Sequence, residues 1–186
     1  MKAYVVVEGP SDASILQTVI PRELLREIIL TPGGGRSNIA SIARTLLVSR
    51  RRPVAVFGDA DTIDERLFHE RIRSIKELLE SVAAGLPTKV ILVVPEIEIL
   101  FFQAPRVLPR LFGDPLPEEV RQMAITQPKK ALDCLFKLSR GPNSIADLLH
   151  SFDHEELGSL RATPAVKELI EFLRESVKPT PKTTLV

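Results

Sequence analysis

Acidic residues stand where apolar runs of this sequence end, at positions that can assemble a site for a hard cation. Glu8 ends Val5-Val6-Val7, and Asp59 and Asp61 end Val54-Ala55-Val56-Phe57-Gly58. Glu96 and Glu98 follow the apolar run up to Val94, and Asp12 lies in the segment just after Glu8. Side chains two apart in an extended segment point the same way, so Asp59 and Asp61 are expected to present both carboxylates together. Oxygen ligands of this kind suit Mg2+ or Mn2+. Crowded and unpaired, such anions repel one another and raise some of their pKa values. A pair of divalent cations about 4 Å apart relieves this and is a known device for in-line phosphoryl transfer. The structural alternative is that these acids merely end strands and cap helices, Asp12 complementing a helix dipole from the first turn.

The acids need strands to bring them together. Ala3 to Val7, Glu27 to Thr31, Val54 to Gly58 and Lys89 to Val94 read as strands. The last is apolar after Lys89, as a strand covered on both faces should be. Between them lie helical patterns: one capped by Ser11 with Ile15, Leu16 and Val19 inward, and one capped by Ser37 or Asn38 with Ile39, Ile42, Ala43, Leu46 and Leu47. A long third opens on Thr62-Ile63-Asp64-Glu65 as a capping box, buries Leu67, Phe68, Ile72, Ile75, Leu78, Leu79 and Val82, and stops at Gly85. Pro95 suits the first position of a helix holding Ile97, Leu100, Phe101 and Phe102. Strands alternating with helices predict an α/β fold with a four-stranded parallel sheet, which brings strand ends to one rim. If the first and third strands are neighbours, Glu8, Asp12, Asp59, Asp61 and the Glu96/Glu98 segment converge.

From about Ala104 the prolines at 105, 109, 115 and 117 mark loop and short-helix structure. Helical patterns resume at 127–139, 144–150, 154–160 and 164–177. The organisation predicted is a catalytic domain over 1–105, a helical extension over 106–178 packed on it, and a flexible tail over 179–186.

Composition excludes several classes. The 186 residues are 44% hydrophobic and 26% charged, ordinary for a globular protein, with a net charge of +1. Cys134 is the only cysteine, so no intramolecular disulfide and no zinc ribbon can form. No apolar run is long enough to span a bilayer, and the N-terminus lacks a signal-peptide layout. The expectation is a cytoplasmic protein with no membrane partner. His69, His150 and His154 have no metal-binding spacing and read as surface residues, and Cys134 reads as core. Arg50-Arg51-Arg52 precedes the third strand, at the opposite edge of the sheet from the acids.

Val5-Val6-Val7-Glu8-Gly9-Pro10-Ser11-Asp12, followed by Gly58-Asp59-Ala60-Asp61, resembles the Toprim domain shared by topoisomerases, bacterial primases, ribonuclease M5 and the overcoming-lysogenization-defect (OLD) nucleases. Its pattern is a glutamate after the first strand and Asp-x-Asp after the third, and the resemblance covers about residues 1–105. Leu30-Thr31-Pro32-Gly33-Gly34-Gly35-Arg36-Ser37-Asn38-Ile39 is similar to the glycine-rich turn of the OLD nucleases, and Pro95-Glu96-Ile97-Glu98-Ile99-Leu100 to their later helix. The resemblance implies a Rossmann-like Toprim sheet and a nuclease that hydrolyses DNA or RNA with two Mg2+ or Mn2+ ions. It implies Glu8, Asp59 and Asp61 as catalytic metal ligands, with Asp12 and Glu98, ahead of Glu96, completing a second metal position. A basic catalytic residue beyond the sheet falls in Lys129-Lys130, with Lys130 preferred.

Glycine amides at a helix N-terminus can hold a phosphate, and Arg36 tilts Gly34, Gly35 and Arg36 toward nucleic-acid contact, with Lys129 beside them. No Gly-Lys-Ser/Thr follows, so this is not a Walker A loop. OLD proteins carry an ATPase domain ahead of the Toprim domain. With no Walker A loop in this sequence, the expectation is a stand-alone Toprim protein that acts alone or with an ATPase partner on another chain, as in anti-phage defence. A ribonuclease M5-like RNA-processing enzyme and a non-catalytic nucleic-acid-binding module are the alternatives. Tyr4, the sole tyrosine, lies in the first strand, which argues against a topoisomerase, and a primase's zinc module is absent.

Overall fold

Strand β1 (Ala3–Val7) lies at the centre of a parallel sheet with β2 (Ile28–Pro32), β3 (Val54–Asp59) and β4 (Thr88–Val93), in the order β2-β1-β3-β4. The computed structural model describes residues 2–138 and 141–177, and the statements below concern those residues. The fold is the α/β class expected, a four-stranded all-parallel Rossmann-like sheet flanked by helices. The predicted strand limits hold to within a residue, because buried parallel strands are apolar on both faces and proline or glycine interrupts them.

Alternation along the strands serves two cores. Ala3, Val5 and Val7 of β1, Ala55 and Phe57 of β3, and Ile91 and Val93 of β4 face the larger one. Helices α1 (Pro10–Val19) and α11 (Pro164–Val177) close it. Val6, Val54, Val56 and Leu92 face the smaller one, closed by α3 (Ile39–Arg50) and α4 (Glu65–Ala83). The crossover from β1 to β2 uses one face through α1 and the short α2 (Arg22–Leu25). The crossover from β2 to β3 uses the other through α3. A crevice therefore opens between the carboxyl ends of β1 and β3, where open α/β sheets bind ligands.

Several helix starts differ from the sequence reading. Helix α1 begins at Pro10 with Gly9 as its cap residue, not at Ser11. Proline's fixed φ suits the first helical position, and Asp12 reaches back to accept the Gly9 N–H at 2.9 Å. Helix α4 is capped by Asp64, whose carboxylate accepts the Leu67 N–H at 3.0 Å, while the Thr62 hydroxyl accepts the Asp64 N–H. Its buried residues are Ile75, Leu79 and Ala83, and Leu67 and Leu78 are exposed. The helix after β4 is α5 (Ile99–Gln103), and residues 95–98 form the turn before it. The proline-rich stretch folds into α6 (Val107–Phe112) and α7 (Glu118–Thr126), then α8 (Pro128–Leu138), α9 (Ile145–His150) and α10 (His154–Arg161). Cys134 is half-buried against the larger core, and His69, His150 and His154 are exposed. Ser139, the predicted end of the helix from 127, and the predicted tail lie outside the described residues. No described helix is long and apolar enough to cross a membrane.

A half-buried ion pair joins α6 to α10. Glu156, 2% exposed in its side chain, accepts Arg110 Nε at 2.6 Å and Nη2 at 2.7 Å. It also accepts the Asp153 N–H at 2.9 Å, so the same carboxylate completes the capping box of α10. Removing one partner of a buried pair strands the other charge, which costs far more than the pair itself contributes. Arg110→Ala is expected to lower unfolding stability by about 3 kcal/mol, the low end for such a loss because water can enter beside Arg110. Arg106→Ala, which breaks an exposed pair with Glu155, should cost less than about 1 kcal/mol. Urea unfolding of the two variants checks the contrast, and equal costs would overturn it.

Candidate carboxylate site at the ends of β1 and β3

Glu8 leaves β1 beside Gly58, near the end of β3. A Cβ at position 58 would stand 3.1 Å from Glu8 Oε1 and 3.3 Å from its Cγ, so glycine lets the glutamate lie against the neighbouring strand. Glu8 Oε1 there accepts the Asp59 N–H at 3.2 Å. The glycine turn after β2 holds the backbone of the same residue. Gly33 N donates to Val7 O at 2.7 Å and Gly35 N to Glu8 O at 2.9 Å. Gly34 and Gly35 have φ of 71° and 122°, a region side chains rarely tolerate. The turn therefore positions Glu8, and the Gly35 amide expected to meet a phosphate is engaged by a carbonyl.

Asp59 ends β3, and its Oδ1 accepts the Ile97 N–H at 2.8 Å. The expected alternation does not carry on to Asp61. Ala60 N donates to Val93 O and Asp61 N to Pro95 O, curling the chain toward the end of β4, and Asp61 has φ +49°. The two carboxylates consequently take different partners. Asp61 Oδ2 accepts Nη1 of Arg36 at 2.6 Å and Nη1 of Arg71 at 2.9 Å. Arg71 also donates to Ala60 O at 2.7 Å, and sequence reasoning missed it. The available signal was its place on the Phe68–Ile72–Ile75 side of α4, where a cation interrupts an apolar stripe.

Burial pushes four carboxyls upward. Asp59 rises to about 8 through desolvation, opposed by the Ile97 amide and reinforced by the charges of Glu8, Glu98 and Asp12. Glu8 rises through burial, opposed by the Asp59 amide and reinforced by Asp61. Asp12 and Glu98 rise through burial too, opposed chiefly by hydrogen bonds from backbone amides and then by the Lys129 charge. Glu98, only 4% exposed, forms no ion pair among the described residues. Burial also pushes Asp61 up, but Arg36 and Arg71 more than reverse it and hold it low.

The structure thus brings Glu8 and Asp59 into contact, with Asp12 and Glu98 within electrostatic reach. Asp61 stands at the flank, bound to arginines. Glu96 Oε2 accepts the Lys129 N–H at 3.3 Å and lines a cleft of about 350 Å³ with Asp61, Thr62, Ile63, Pro95 and Thr126. Lys129, rather than Lys130, is the lysine whose charge reaches the acids. Lys130 Nζ donates to Gln127 Oε1 at 2.6 Å, at the start of its own helix. Adjacent lysines on a helix look alike in sequence, and only the docking of α8 separates them. The all-oxygen donor set fits Mg2+ or Mn2+ in kind. Among the described residues no three such side chains close around one point as a finished metal cage. No family model, curated protein or solved structure matches the chain at a significant level.

The raised acids bind protons more readily in the fold than in the unfolded chain. Stability they contribute is therefore present at low pH and is lost as pH rises from the unfolded value of 3.8 through about 8 for Asp59. Asp61 acts oppositely, its contribution disappearing only as pH falls below its ordinary range. In EDTA the melting temperature should fall between pH 5 and 8. Asp59→Asn should flatten that fall and melt above the wild type at pH 8. A variant as pH-dependent as the wild type would refute the assignment.

Proposed function

We propose that the chain is a metal-dependent nuclease of Toprim type, hydrolysing phosphodiester bonds in DNA or RNA. The observation that supports this best is the meeting of Glu8 and Asp59 at the switch point of the sheet, with Asp12 and Glu98 close enough to raise the Asp59 pKa. The acids come from separate segments; Glu98 is buried and Glu8, Asp12 and Asp59 are half-buried, against the preference of a charged group. Desolvated acids that repel one another are poised to accept cations, since a bound cation restores the ionised form that burial disfavours.

On this reading Glu8, Asp59 and Asp61, with Asp12 and Glu98, hold two Mg2+ or Mn2+ ions. When bound, such ions neutralise charge on the phosphate and lower the pKa of water. Glu8, fixed by Gly58 and the Asp59 amide, keeps one carboxylate oxygen, Oε1, on a known bond and is the residue placed to hold or move a proton. The charge of Lys129 reaches Asp12 and Glu98, and on this reading it receives the anionic backbone.

The test compares wild type, Glu8→Gln and Asp59→Asn on plasmid DNA, single-stranded DNA and structured RNA, with Mn2+ or EDTA. Cleavage is expected in Mn2+ only, and each variant should lose more than about 100-fold, since even residues that merely orient metal ligands cost 10–100-fold. Cleavage of RNA alone would assign a ribonuclease M5-like role. Undiminished cleavage by both variants, or none by the wild type, would overturn the nuclease reading.

A further inference from the structure

Two guanidinium groups converge on one oxygen of Asp61. Arg36 comes from the glycine turn after β2 and Arg71 from α4, so segments on two sides of β3 supply them. Each directs Nη1 at Oδ2. A single carboxylate thus faces two fixed positive charges, and the trio carries a net positive charge. Guanidinium presents five N–H donors in a planar fork suited to phosphate oxygens. Among the described residues Arg36 spends one nitrogen on Asp61, and Arg71 spends the same nitrogen on Asp61 and Ala60 O.

The two arginines differ in support. Arg71 is 22% exposed and anchored by the Ala60 carbonyl, whereas Arg36 is 57% exposed on a turn with positive-φ glycines. Asp61 itself sits in a left-handed conformation that costs a residue with a side chain on the order of 1–3 kcal/mol. Such outliers concentrate where ligands bind. The charges of Arg71 and Asp61 both reach Glu8, so this trio adjoins the acid pair.

We propose that Arg36 and Arg71 form a phosphate-binding site, occupied in this structure by the Asp61 carboxylate, and that nucleic-acid phosphate and a divalent cation bind cooperatively by exchange. The phosphate takes the two guanidinium groups, and Asp61 is released to join Glu8 and Asp59 at the cation. No covalent bond changes; only the partners of three charged groups do. The inference rests on the function proposed above, whose ligands it completes. It also accounts for the different partners of Asp59 and Asp61 in a site without a closed cage.

Binding measurements test it without cleavage. A mixed-sequence 20-nucleotide single-stranded DNA is titrated by fluorescence anisotropy in EDTA, and Mn2+ by calorimetry with and without a non-cleavable phosphorothioate form of that strand. The wild type should bind Mn2+ at least about fivefold more tightly with the strand present, the lower range of measured site-to-site couplings. Arg36→Ala and Arg71→Ala should bind Mn2+ more tightly than wild type in the absence of DNA. Each should bind the DNA more weakly in EDTA, with the salt slope smaller by about 1. Arg71→Lys keeps the charge without the fork and should recover only part of the DNA affinity. Arg36 is 57% exposed, so its variant reports even if Arg71→Ala unfolds. Arginine variants that bind Mn2+ and DNA as the wild type does would overturn the exchange, as would a wild type whose Mn2+ affinity ignores DNA. Coupled binding by a wild type that cleaves nothing would overturn the nuclease reading and leave the exchange standing.

Discussion

The parallel pairing of β1 with β3 is the constraint on which the site depends. Its register sets Tyr4 against Val54, Val5 against Ala55 and Val6 against Val56. Continued past the paired residues, that register brings Glu8 to Gly58, where a Cβ would crowd the glutamate side chain. A slip of one position would turn every side chain to the other face. Here both faces are buried, so a slip would also exchange the two cores. Burying each large apolar side chain contributes about 1.5–3 kcal/mol, and many such residues line these strands. That sum outweighs the repulsion among the acids at the strand ends. The cores fix the register, and the register imposes the crowding.

The crowding is uneven. Glu8, Asp12, Asp59 and Glu98 are all pushed toward their neutral forms by burial, whereas Asp61 is kept ionised by its arginines. One side of the rim is short of positive charge and the other holds an excess. Backbone amides offset part of the shortage: those of Asp59, Ile97 and Gly9 each point at a different carboxylate. Dipoles of this kind lower the cost of burying an acid but do not cancel it, as the upward shifts demonstrate. On the proposed reading, the rim accepts cations on the Glu8–Asp59 side and anions on the Arg36–Arg71 side.

The strands were legible from sequence because a parallel strand covered on both faces is written as an uninterrupted apolar run. The neighbouring relation of β1 and β3 was a condition the sequence could pose but not decide, since pairing partners are chosen by crossovers. Local choices between nearby capping residues were harder. Thr62 and Asp64 both make good caps, and the chain must first bend through Asp61 to meet the end of β4, which delays the helix. The same bend defeated the reading of Asp59 and Asp61 as a matched pair, because alternation holds only while the chain stays extended. Arg71 is one of many charged residues on α4, and amphipathic patterning by itself sends such residues to the outer face. The difference between Lys129 and Lys130 depends on how α8 docks, which no spacing within the helix encodes.

The helices beyond the sheet belong to this arrangement. Helix α11 packs on β4 and β1 and helps close the larger core, so one face of the strands that aim the acids is completed by residues far along the chain. The start of α8 meets the segment after β4 through the Lys129 amide and Glu96, and Thr126 at the end of α7 walls the adjoining cleft. Cations consequently flank the acids on both sides, Lys129 toward Asp12 and Glu98, and Arg36 and Arg71 at Asp61. On the proposed reading a polyanionic backbone crossing the rim is held at both flanks while the acid pair lies between them. The neutral balance of the whole chain conceals this, because the positive charges that would guide such a strand are offset within the same site by the carboxylates it has to reach.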